Sequence, residues 1–226
     1  MKQSINLGAY GWRHRHWLNS FYPEDLPVEA DGDWRLSYYS NEFNAVLLPI
    51  DYWQENPISD CEDWLDSVHS EFQFFVECDA GMFDRVSPAD LSRALKILAP
   101  QLSALVFLDE EQAIPGDLRQ QFMTLADSLG IELLGLASAP ATTSHADKIW
   151  RPGGGSVLPD VSRRSNFAFI EDELTDLRSV RAMVEQFALC TGDDAGGAEA
   201  TIIVNHPQLL AGNLSKFRSV LDIMGY

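Results

Sequence analysis

The sequence predicts a TIM-barrel-like (β/α)8 fold, and three observations carry that prediction. Eight short β-rich runs bounded by turn residues alternate with helical segments along the chain. Several of these runs are continuously apolar, as strands covered on both faces are. The length, 226 residues, suits one α/β barrel near the lower end of that fold's range, and no linker or low-complexity stretch marks a boundary, so 1–226 reads as a single domain. A doubly wound open sheet is the rival architecture.

The first strand is expected at 5–9. Its connection, GWRHRHWLNSFYP, crowds aromatics, two histidines and two arginines into one loop before a helix at 33–42. Strand 44–50 precedes helix 59–70, and strand 72–78 precedes helix 87–98, where Ser-Pro-Ala-Asp supplies a cap, a proline in the first turn and an acid for the helix dipole. Strand 102–108 leads to helix 116–129. Strands 131–137 and 148–150 follow, but 139–165 offers no helical pattern, so the barrel is expected to be irregular and reduced around its fifth and sixth repeats. Strand 166–170, a helix at 175–189, strand 200–205 and a helix at 207–224 close the chain.

Composition excludes several function classes. Against 16 Lys and Arg stand 34 Asp and Glu, and a net charge of −18 repels nucleic-acid phosphates and anionic membranes over most of the surface. The N-terminal residues lack a signal peptide's apolar stretch, and no run is long enough to span a bilayer. Cys61, Cys78 and Cys190 are far apart and show no paired spacing for zinc or redox chemistry, which suits a cytoplasmic protein.

The residues Gly11, Trp12, Trp17, Phe21, Tyr22 and Pro23, then Tyr38, Tyr39, Phe43 and Asn44, resemble the opening of the domain of unknown function 72 family, also called YecE-like. Asn205 and His206, between the last strand and the closing helix, are similar to that family's C-terminal pattern. The resemblance implies a TIM-barrel-like fold over the whole chain, brings no established activity, and marks Trp12, Trp17, Asn205 and His206 as candidate site residues. The chain also departs from the family. Leu47 and Pro49 stand where a Glu and an Asn are usual, Glu77 where a Lys is, and Asp84 where a His is, while the motifs expected after the fourth strand and on the fifth are missing. A divergent or non-catalytic relative is the expectation, rather than a standard member.

On their own chemistry, Trp12, Trp17, Phe21 and Tyr22 read first as packing that caps the barrel mouth. Arg13 and Arg15, with Arg151, Arg163 and Arg164, fall in loops at one end of a barrel, and guanidinium forks beside the glycines at 153–155 suit a small anion. His14, His16 and His206 with Glu77 and Asp79 raise a metal reading, but the flanking arginines disfavour a cation, and no metal or cofactor is expected. Two functions follow. The first is a non-catalytic barrel binding a small anionic ligand at its C-terminal mouth through Trp12, Arg13, His14, Trp17, Arg151, Arg163 and Asn205, with protein partners left open. The second is an enzyme of sugar or phosphate-ester chemistry in which Glu77 or Asp79 acts as base and His206 assists. It requires titratable groups that converge on one pocket.

Overall fold

A computed structural model of the chain describes residues 4–24, 33–53, 57–109, 114–136, 149–152, 165–191 and 199–226. It contains eight parallel strands: β1 (Ile5–Tyr10), β2 (Ala45–Leu48), β3 (Gln73–Glu77), β4 (Leu102–Val106), β5 (Glu132–Leu134), β6 (Ile149–Trp150), β7 (Phe167–Ile170) and β8 (Ala200–Val204). They are ordered β5-β4-β3-β2-β1-β8-β7-β6. Chain order is preserved around the sheet, with β8 paired to β1, and that is the order of a nearly closed barrel. A doubly wound sheet would reverse its order at a switch point. At the seam between β5 and β6, a Cβ placed on Gly135 would lie 2.8 Å from the Ile149 side chain, so the two ends of the sheet approach each other there.

The helices between the strands are α1 (Asp33–Ser40), α2 (Pro57–Asp66), α3 (Met82–Arg85), α4 (Pro88–Leu98), α5 (Gly116–Leu129), α6 (Leu177–Cys190) and α7 (Ala211–Met224). Ser87 caps α4 by accepting the Asp90 N–H, and Pro88 follows it as the motif requires. α6 starts at Leu177, two residues after the expected 175, because Asp176 caps it by accepting the N–H groups of Arg178 and Ser179. α5 stops where Gly130 turns to φ 67° and α7 where Gly225 turns to φ 85°. The short α3 has no counterpart in the sequence-based elements. β5 and β6 are the shortest strands described, while the helical covers expected to be reduced beyond them fall at 137–148 and 153–164, outside the described residues. Among the described residues no helix is long and apolar enough to cross a membrane.

Strand alternation separates two cores. Phe74 and Val76 of β3 point outward into the layer beneath the helices, whereas Phe75 faces inward with Ala45, Leu47, Val106, Phe169 and Ile203. The interior is packed, and its N-terminal end is sealed by polar side chains. Glu199 Oε2 accepts from Asn6 (3.1 Å) and Gln73 (2.7 Å), and Gln73 accepts from the Thr201 hydroxyl. At the opposite end the same inward parity brings Tyr10 of β1 and Glu77 of β3 to the mouth.

Candidate functional site

Glu77, the last residue of β3, is half-buried and its Oε2 is doubly held. The Tyr10 hydroxyl donates to it at 2.5 Å and the Ile50 N–H at 3.2 Å. Burial raises the Glu77 pKa above the ordinary carboxyl value, with Asp79 and Asp51 pushing the same way and the two donors opposing them. The Tyr10 phenol is pushed well up, first by desolvation and then by the carboxylate it binds.

Gly11 bends the chain out of β1. Its N–H reaches the Leu47 carbonyl, and its φ of 73° belongs to the left-handed region that glycine enters without strain. The turn swings Arg13 and His14 over the mouth. The Tyr52 hydroxyl, from the short 3-10 turn Ile50–Trp53, accepts the N–H groups of Trp12 and Arg13. The Arg13 guanidinium lies over the Tyr52 ring at 4.7 Å and the Trp12 ring at 5.4 Å. Across the opening, Arg85 of α3 grips both oxygens of Asp79 at 2.7 Å each, and the Gly81 N–H donates to the same carboxylate. Arg85 holds the Asp79 carboxyl below its usual value.

Together Tyr10, Arg13, His14, Pro49, Ile50, Asp51, Tyr52, Glu77 and Arg85 line a cavity of about 680 Å³ at the C-terminal ends of β1, β2 and β3. That volume lies in the ~300–1,000 Å³ range of small-molecule pockets. Two of the polar atoms at this site that lack a partner among the described residues sit beside the Tyr10 and Ile50 bonds and under the first loop. His14 Nε2 is buried without a hydrogen bond. Glu77 Oε1 accepts no hydrogen bond from the described residues.

Desolvation lowers the His14 pKa from 6.5 to about 4, with His16 adding to the effect. An unfolded chain protonates this imidazole near 6.5 and the folded one near 4, so His14 makes stability fall as pH drops through that window. Urea unfolding of the wild type and His14→Asn at pH 7 and pH 4.5 should therefore show a smaller acid loss in the variant, and the His14 ring resonance should titrate near pH 4.

The other residues singled out in the sequence are distributed as follows. Trp12 and Trp17 are fully buried beneath the loop, Trp12 edge-on to Tyr52 and Trp64, and Trp17 stacked on Tyr39. His16 donates through Nε2 to the Leu209 carbonyl. His206 accepts the Gln208 N–H, Asn205 donates its backbone N–H to Ile170, and neither lines the cavity. Arg151 lies over the Phe169 ring at 5.0 Å, donates to the Leu108 carbonyl and pairs with Glu171. Phe169 in turn meets Tyr10 edge-on, so Arg151 adjoins the site from the far side of the mouth. Arg163, Arg164 and the glycines at 153–155 lie outside the described residues. Among those described, no cluster of His, Cys, Asp or Glu could hold a metal ion.

Tyr10, Tyr52 and Arg85 were not singled out from sequence. Tyr10 could have been found by extending β1 one residue and keeping its alternation from Gly8. Arg85 carries no such signal, because its helix is only four residues long.

The family model for the protein of unknown function DUF72 matches residues 6–132. The chain belongs to the DUF72 family. The matched span takes in every residue lining the cavity, from Tyr10 to Arg85. A DUF72 family protein from Thermotoga maritima MSB8 superimposes with a TM-score of 0.58 over 97% of this chain and 99% of that one, at 14% identity. A DUF72 family protein from Enterococcus faecalis V583 gives 0.51 over 96% and 95%, at 10% identity. At these identities the likeness shows the shared barrel. No curated protein matches the chain.

Proposed function

We propose that this DUF72 barrel binds a small ligand carrying an anionic group at its C-terminal mouth, in the cavity between the first loop and α3. The observation that carries the reading is the Arg13 guanidinium. It lines the cavity on an aromatic shelf and makes no ion pair with the described residues, in a protein where acids outnumber bases two to one. His14 and Glu77 contact the ligand through their open atoms. Trp12 and Trp17 hold the loop that presents Arg13, and Asp79 positions Arg85. Arg151 and Asn205 belong to the outer approach on this reading, and Arg163 lies outside the described residues.

Binding to the folded state alone stabilises it, by about 2.7 kcal/mol at 100 times the dissociation constant. Thermal unfolding with small carboxylates and phosphate should show such a rise in the wild type and none in Arg13→Ala, whose unliganded melting temperature stays close to the parent's because the side chain is exposed. Equal stabilisation of Arg13→Ala would refute the site.

A second reading, acid–base catalysis on a sugar or phosphate ester, is supported by one pairing. Glu77, whose proton affinity is raised, and His14, whose proton affinity is lowered, line the same cavity. In that chemistry Glu77 moves the proton and His14, rather than His206, faces it. Turnover by the wild type that disappears in Glu77→Gln would establish it.

A further inference from the structure

The charges around the cavity restrict the kind of anion it accepts. Arg85 is neutralised by its two-point grip on Asp79, which leaves Arg13 as the lining cation that makes no ion pair with a described residue. The acidic residues Asp51 and Glu77 stand on the same wall. A dianion placed there meets one such guanidinium and two acids, whereas a planar monocarboxylate matches the single Arg13 fork and places less charge against them.

The remaining open atoms ask for hydroxyl groups. Glu77 Oε1 is an acceptor, because Tyr10 and Ile50 both occupy Oε2. His14 Nε2 is buried, unpartnered and borne by a neutral ring, so it can accept from or donate to a hydroxyl according to its tautomer. A buried polar atom left unmatched costs about 1–3 kcal/mol, so a ligand that satisfies both is favoured over one that merely fills space. The cavity volume of about 680 Å³ exceeds what a two-carbon acid occupies and admits a chain of six carbons with hydroxyls.

From this we infer that the ligand class is a hydroxylated monocarboxylate of sugar-acid size, its carboxylate on Arg13 and a hydroxyl between Glu77 Oε1 and His14 Nε2. The inference rests on the anion-site reading above and names its ligand class.

The test is calorimetric titration of the full chain at pH 7 with gluconate, acetate, inorganic phosphate and glucose. Gluconate should bind at least about tenfold more tightly than each of the others, a difference of ~1.4 kcal/mol. Arg13→Ala should remove gluconate binding. In Glu77→Gln the amide oxygen can keep the Tyr10 and Ile50 bonds while an NH₂ group replaces the open acceptor, so gluconate should weaken about tenfold with acetate unchanged. Phosphate or acetate binding as tightly as gluconate, and lost in Arg13→Ala, would overturn the ligand class and leave the anion site standing. Glucose matching gluconate, or gluconate binding that survives Arg13→Ala, would overturn both. So would the absence of heat with all four probes.

Discussion

Trp17→Ala should destabilise the fold by about 3–5 kcal/mol, the range for deleting a large buried aromatic. Trp17 is fully buried, with ring contacts to Phe21 at 5.4 Å, His14 at 4.4 Å and Tyr39 at 6.2 Å. Its indole N–H donates to the Leu209 carbonyl at 2.7 Å, tying the loop after β1 to the loop after β8. Its own carbonyl accepts the N–H groups of Ser20, Phe21 and Tyr22 and so shapes the turn that follows. Trp17→Phe keeps much of the ring packing and loses only the indole bond. The Leu209 carbonyl still receives His16 Nε2, so the cost there should be nearer 1 kcal/mol. Urea unfolding followed by circular dichroism separates the two variants. Equal, small losses would show that the loop is not anchored through this side chain.

Gly8→Ala should be of comparable severity for a different reason. A Cβ at position 8 would lie 2.0 Å from the Ala45 carbonyl oxygen and 2.5 Å from its carbon. Both atoms are backbone, in a strand paired to β1 in the register Gly8↔Ala45, so relief requires β1 and β2 to part. The Tyr39 hydroxyl, which takes the Ala9 N–H and donates to the Ala45 carbonyl, would be displaced with them. Overpacking costs about 1–3 kcal/mol where neighbours can adjust, and here the loss should reach or exceed that range. Gly212→Ala in α7 is the control. Nothing lies within 4 Å of its Cβ position, and reduced freedom of the unfolded chain should stabilise it by ~0.4–1 kcal/mol. A Gly8→Ala protein as stable as the parent would contradict the strand pairing at the barrel wall.

Local rules carried the architecture. Apolar runs between turn residues mark all eight strands, and Ser87-Pro88 and Gly130 mark helix ends, because those features act within a few residues. The close approach at Gly8 left no such trace, since it depends on where β2 lies. The site was legible in part for the same reason. Arg13, His14 and Glu77 stand at strand ends and in the first loop, where a barrel gathers its functional groups, and they do meet at one cavity. Arg85 enters that cavity on a helix too short to have a periodicity, and its bond to Asp79 spans a turn the sequence does not announce. His206 follows β8 by two residues, and its ring serves the local Gln208 N–H, a choice made by the turn geometry.

The most direct measurement is a crystal structure of the protein grown with gluconate. Density is expected for the carboxylate against the Arg13 guanidinium, and for a hydroxyl within hydrogen-bond reach of Glu77 Oε1. Density against Arg151 with the Arg13 cavity empty, in crystals where solution binding is intact, would contradict this placement.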